Sequence, residues 1–208
     1  MAALDADVLT LVLNERANPP IDPGTKKPIE RAKERVDFLI ETLAKAKTKI
    51  IIPTPVLSEV LVESGPGGLR YIEILQKALV FGIEAFDVRA AIELAEITRK
   101  ALQSGDKREG SAEPYQKIKL DRQIVAICKV QGVRTLYTSD RNLEVFAMRA
   151  GLSVIRVDNL PLPPVVPRVM SLFDTVPASE GQTDEPEPQE VEKEERDPDD
   201  GDIKGPDR

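Results

Sequence analysis

The sequence predicts an α/β fold: a parallel sheet with helices packed against it. Short aliphatic runs recur along the chain, near residue 4 and at residues 49–52, 80–86, 133–137 and up to Ile155. Between them lie longer stretches with apolar residues at helical spacing, and this alternation is the pattern of βα units. Aspartates also stand where the first and fourth runs finish, the end of a parallel strand at which sites form.

The opening Leu4-Asp5-Ala6-Asp7-Val8-Leu9 starts as a strand. If the strand extends that far, Asp5 and Asp7 share one of its faces. A helix beginning near Asp7 or Val8 would instead make one aspartate an N-cap. Residues 14–29, with their prolines and Gly24, form a loop. Residues 30–47 are helical, with Val36, Leu39, Ile40 and Leu43 on the inner face. Residues 49–52 are a buried strand closed by Pro53, and Thr54-Pro55 is a helix-start signal. That helix faces the core with Val56, Leu57, Val60 and Leu61. Glu59 and Glu63 border the same face, and spacing does not choose between them. Ser64 to Gly68 breaks the helix. Residues 69–79 form another, with Ile72, Leu75 and Leu79 expected inside, and residues 80–86 follow as a strand. Asp87 caps a helix whose expected core stripe is Val88, Ala91, Ile92, Ala95 and Leu102. Residues 104–115 are a polar, partly basic connector.

The stretch from Ile118 to Ile155 is the most informative. Ile124, Val125 and Cys128 make a buried helical stripe, and Asp121 lies three and four residues before its first members. A carboxylate on such a stripe is costly unless something pairs it. Gly132 ends the helix, residues 133–137 alternate as a strand, and Asp140 stands at that strand's end.

Composition sets the bounds. The 208 residues are 41% hydrophobic but only 4% aromatic, enough for one aliphatic core. The single cysteine, Cys128, excludes an internal disulfide framework and fits a reducing cytoplasm. There is no apolar run of about 18 residues to span a membrane. The net charge of -7 is uneven: from Asn159 onward acids outnumber bases fourteen to five, so the preceding body is slightly basic. That division suggests a folded domain over residues 1–158, a proline-rich linker with a small apolar patch over 159–174, and an acidic, disordered tail over 175–208.

Asp5, Glu59 (or Glu63), Asp121 and Asp140 thus come from four separate elements toward one rim. Gathered without a counter-charge they would repel one another. Lysine or arginine could neutralise them, giving a structural ion-pair cluster, and so could a hard divalent cation. With no histidine in the chain, an all-oxygen set favours Mg²⁺ or Mn²⁺ over zinc.

At these residues the chain resembles the PIN-domain ribonucleases, in particular the toxin nucleases of toxin–antitoxin (VapC-type) pairs. The resemblance covers most of residues 3–157. LDADVL is similar to the family's first-strand motif, IPTPVLSEVL to its second, and IKLDRQIVAICKVQGVRTLYTSDRNL to its third and fourth. The resemblance implies an α/β/α sandwich and Mg²⁺- or Mn²⁺-dependent cleavage of single-stranded RNA in the cytoplasm. It selects Glu59 over Glu63 and assigns Asp5, Glu59, Asp121 and Asp140 as catalytic metal ligands. Asp7, Thr138 and Asn142 take supporting positions, although Asn142 stands where many members carry an aspartate. Lys119, Arg122 and Arg141 flank these acids as candidates to meet RNA phosphates. The family further implies an antitoxin partner and dimerisation. Two other readings compete. One is a PIN-like module without activity that binds RNA or protein; the other is a haloacid-dehalogenase-type phosphatase, whose Asp-x-Asp also follows a first strand.

Overall fold

A computed structural model describes residues 1–164. The proline-rich stretch beyond Pro164 and the acidic segment 175–208 lie outside the described residues, and so do the expectations attached to them.

Five short strands, β1 (Ala2–Leu4), β2 (Ile50–Pro53), β3 (Phe81–Glu84), β4 (Thr135–Thr138) and β5 (Ser153–Arg156), form one sheet in the order β3-β2-β1-β4-β5. All four pairings are parallel. The expected class, a parallel sheet flanked by helices, is the one found. Ile50, Ile51 and Ile52 are each at most 1% exposed, as strands covered on both faces must be.

The chain moves outward from β1 twice in one direction, through α1 (Ala6–Leu13) with α2 (Ala32–Lys45), then α3 (Thr54–Ser64) with α4 (Gly68–Lys77). It then returns past β1 through α5 (Val88–Gln103) and α6 (Tyr115–Val130) to β4, and through α7 (Arg141–Arg149) to β5. Right-handed crossovers put the helices of these two excursions on opposite faces. Consistently, α1 packs on α2 and α3, while α6 packs on α5 and α7. The reversal falls between β1 and β4, so a crevice opens beyond their C-terminal ends. Gly132, at φ +67°, makes the left-handed turn that ends α6 and starts the approach to β4.

Several local expectations give way. β1 stops at Leu4, so Asp5 and Asp7 do not share a strand face: Asp5 is the N-cap of α1 and Asp7 lies in its first turn. The stripe expected to bury α5 faces outward, with Val88, Ile92 and Leu102 at 75%, 62% and 57% exposure. That helix instead buries Ala90 and Ala101 and packs Ile97 partly against the core. Leu79 is not an inner residue of α4 either; it follows the helix and is exposed. Cys128, by contrast, is in the core, where burial pushes its thiol up to about 12. Among the described residues no helix is long and apolar enough to cross a membrane.

Candidate active site

Four strand ends contribute to a cleft of about 810 Å³ at the crevice between β1 and β4. Asp5 follows β1, Thr54 follows β2, Phe86 follows β3 and Asp140 follows β4, and all four line it. Helix α3 adds Glu59 and Glu63, and α6 adds Lys117 and Asp121. Asp5, Glu59, Asp121 and Asp140 therefore share one hollow.

Asp5 is the most firmly held. Its Oδ1 accepts the Val8 backbone N–H at 2.9 Å, closing the N-terminus of α1. Its Oδ2 accepts the Thr138 hydroxyl and, at 3.1 Å, the Ser139 backbone N–H. The Ser139 hydroxyl in turn donates to Asp7. Thr138 thus ties the end of β4 to the end of β1, and its hydroxyl also accepts the Asp140 N–H at 2.9 Å. Asp140 caps α7, accepting N–H groups of Asn142 and Leu143 at 2.7 and 3.3 Å. A parallel strand running directly into a capped helix leaves each aspartate at the sheet's C-terminal edge with its charge toward the positive end of the helix.

Asp121 is different. It is 5% exposed, and its Oδ2 is buried without a hydrogen-bond partner. Desolvation, reinforced by the nearby charges of Asp140, Glu59 and Glu113, pushes its carboxyl up to about 7, with Lys117 opposing. Asp5 is also raised to about 7, by burial first and the Asp7 charge second, against the pull of its hydrogen bonds. Glu59 lies on the exposed side of α3, yet partial desolvation of its carboxyl and repulsion from Glu63 and Asp7 raise it too.

One cation stands among these acids. Lys117 Nζ lies 2.7 Å from Asp140 Oδ2. Desolvation pulls the ammonium pKa down, but the hydrogen bond and charge of Asp140 leave it raised. Sequence reasoning passed over Lys117, although it precedes Asp121 by four residues and so shares its helical face.

The flanking bases are placed less uniformly than their proximity in sequence suggests. Arg122 is not available to a phosphate: it is 1% exposed and turned away from the cleft. Its Nη2 donates to the Lys107 carbonyl and to Glu109, both at 2.8 Å, and its guanidinium lies 5.7 Å from the Phe146 ring centre. It anchors the connector between α5 and α6. Lys119 is exposed, with its ammonium over the Tyr115 ring. Arg141 is exposed at the first residue of α7. Asn142 has its side-chain amide engaged with Ser111 and Glu113.

Does this donor set suit a hard cation? The chemistry does: every candidate ligand is a carboxylate oxygen, and Asp121 offers one with no other partner. Lys117 offsets one of the cleft's acids and leaves the others uncompensated. Among the described residues no three acids are drawn together into a ready-made metal cage. The ligands would therefore have to close on an ion, with Asp140 leaving Lys117.

Fold and site together define an α/β sandwich with an acid-lined cleft at the reversal of its strand order. No family model matches the sequence, and no curated protein matches it. Among solved structures, the chain is similar to VapBC2 from Rickettsia felis bound to a DNA fragment from its promoter, at 14% identity and a TM-score of 0.47, covering 74% of this chain and 97% of that one. It is similar to DNA-bound VapBC from Salmonella typhimurium at 15% identity and 0.45, covering 75% and 97%. It is also similar to Mycobacterium tuberculosis VapC20, a Sarcin-Ricin loop cleaving toxin, at 14% and 0.44, covering 70% and 94%. This is a likeness of chain path alone.

Proposed function

We propose that the chain is an endoribonuclease that hydrolyses single-stranded RNA with the help of Mg²⁺ or Mn²⁺ held by Asp5, Glu59, Asp121 and Asp140. The observation that carries this reading is that Asp121, whose Oδ2 is buried without a hydrogen-bond partner, lines one cleft together with the other three acids. A buried carboxylate without a partner is costly, and a cation is the partner that four converging carboxylates call for. The sequence motifs at the same four positions point the same way.

The residues have separable tasks. Asp5 is locked by the α1 cap and by Thr138 and Ser139, so it fixes one side of the site. Asp121 supplies an uncommitted oxygen from α6, Asp140 supplies from the start of α7 the Oδ2 that Lys117 now holds, and Glu59 reaches in from α3. With Asp7 and Glu63 beside them, these acids repel a polyanion until cations offset them, so RNA entry and cation binding are electrostatically linked. A cation held by Asp5, Glu59, Asp121 and Asp140 would supply a water of lowered pKa and charge stabilisation for the leaving oxygen. Lys117, once released from Asp140, places an ammonium group at the cleft wall within reach of a phosphate. The resemblance also implies an antitoxin-like protein partner.

The lysine in the cleft is also what the phosphatase alternative would need. That alternative, however, gives no role to Asp121, the buried acid that α6 brings to the cleft. The deciding experiment is cleavage of an end-labelled single-stranded RNA with Mg²⁺, Mn²⁺ or EDTA, comparing the wild type with Asp121→Asn. Metal-dependent cleavage that the substitution abolishes is the expected result. An inert wild type that still binds RNA would identify a binding module instead. Turnover of small phosphate esters with a trapped phosphoaspartate would identify a phosphatase.

A further inference from the structure

A second hollow, of about 360 Å³, adjoins the acid cleft and shares Asp7 and Glu63 with it as a common wall. Its remaining lining comes from the far end of α1, the start of the loop that follows, and the α3–α4 junction. Tyr71 provides an aromatic surface there; it is half-buried and packs against the core, so its ring is fixed by its neighbours. Asn14 and Asn18 provide carboxamides. The Asn14 Oδ1 already accepts the Arg16 N–H at 3.0 Å, which leaves its Nδ2 hydrogens to donate elsewhere.

The chemistry of this hollow selects its ligand. Asp7 and Glu63 on the shared wall outnumber the one lining base, Arg16, and so disfavour an anion inside. A volume of this size suits a small organic group. An aromatic face beside amide donors and acceptors suits a neutral, planar, hydrogen-bonding ring. We infer that this hollow binds a nucleobase of the RNA next to the phosphate lying over the carboxylates, so that Tyr71 and the Asn14–Asn18 loop set a sequence preference for cleavage. The inference rests on the ribonuclease reading, because continuity with the acid cleft is what makes the ligand a neighbouring nucleotide. Arg16, at the exposed rim of the hollow, then lies on the side where the backbone of the strand would continue.

Two measurements on the full chain test this. In the first, a randomised single-stranded RNA is cut by the wild type with Mn²⁺ and the cut sites are sequenced. The wild type should favour one base at a fixed distance from the cut. Tyr71→Leu should slow cleavage about tenfold, as expected from loss of one base–aromatic contact, Tyr71→Phe, which keeps the ring, should not, and the double change Asn14→Ala with Asn18→Ala should flatten the preference itself. Cleavage without any base preference, or a preference that the Asn14→Ala, Asn18→Ala double change leaves intact, would overturn the proposal while the nuclease stands. In the second, the four uncharged nucleosides are titrated into the EDTA-treated protein, and the side-chain amide resonances of Asn14 and Asn18 are followed by NMR. Base-dependent shifts that Tyr71→Leu removes are expected. If the wild type fails to cut RNA, the ribonuclease reading falls, and this titration alone decides the pocket: no shift with any of the four bases rejects it.

Discussion

Two aspartates in this molecule make the same local structure and end in opposite electrostatic states. Asp5, after the central strand β1, and Asp87, after the edge strand β3, each cap a helix by accepting the N–H three residues on, both at 2.9 Å. Asp87 is also paired with Arg89 at 3.0 Å, and its carboxyl is held below the usual range, by the Ala90 N–H first and Arg89 next. Asp5 is buried beside Asp7 and is pushed up to about 7. The capping bond is therefore common to both and says nothing about function. What separates a structural cap from a site carboxylate is the surroundings of the second oxygen: a cation and solvent in one case, burial and another acid in the other.

Exchanging each aspartate for asparagine, which still caps a helix, tests that distinction most directly. Asp5→Asn is expected to lower metal-dependent RNA cleavage by about 100-fold or more, since residues that only orient metal ligands already cost about 10- to 100-fold. Asp87→Asn should leave it within about twofold. Equal losses, measured on variants whose circular dichroism shows them folded, would erase the contrast.

The next largest effect is in stability against pH. Asp5 and Asp121 are raised above their unfolded value of 3.8 to about 7, so between these values the folded chain binds more protons than the unfolded one. Stability from these two groups is complete below the unfolded pKa and is lost as pH rises through 7. In EDTA, melting should therefore occur several degrees higher at pH 5.5 than at pH 8. Mn²⁺ should restore the difference at pH 8 and do little at pH 5.5, where protons compete for the same oxygens. A melting temperature that rises with pH in EDTA would contradict the raised values.

The smallest effect concerns Lys117. If its ammonium competes with the metal for Asp140, Lys117→Met should tighten Mn²⁺ binding severalfold in calorimetry, against about 1.4 kcal/mol for tenfold. If the lysine merely holds Asp140 in position, the same substitution should weaken binding.

Particular residues explain how far the sequence could be read. Asp121 was legible because helical periodicity places a residue on a face without reference to the rest of the fold, and Asp140 because it closes a strand. The arrangement of Asp5 and Asp7 stayed open between a strand face and a helix cap because it depends on where β1 stops, and a shift of one residue exchanges the one for the other. The α5 stripe was misassigned for a related reason. Periodicity shows that Val88, Ile92 and Leu102 share a face, but not which neighbour, if any, lies against it. Arg122 was taken for a surface base because its partners, Lys107 and Glu109, sit in a connector whose path no local pattern encodes. Lys117 alone was both visible and overlooked.

The strand order has a consequence for synthesis. Because β1 lies between β2 and β4, the carboxylates of Asp5 and Glu59 belong to the part of the chain made first, and those of Asp121 and Asp140 to the part made last. A nascent polypeptide that has reached only residue 110 carries half of the set and lacks the strand whose Thr138 clamps Asp5. The hollow therefore comes into being only when the second excursion of the chain docks beside the first.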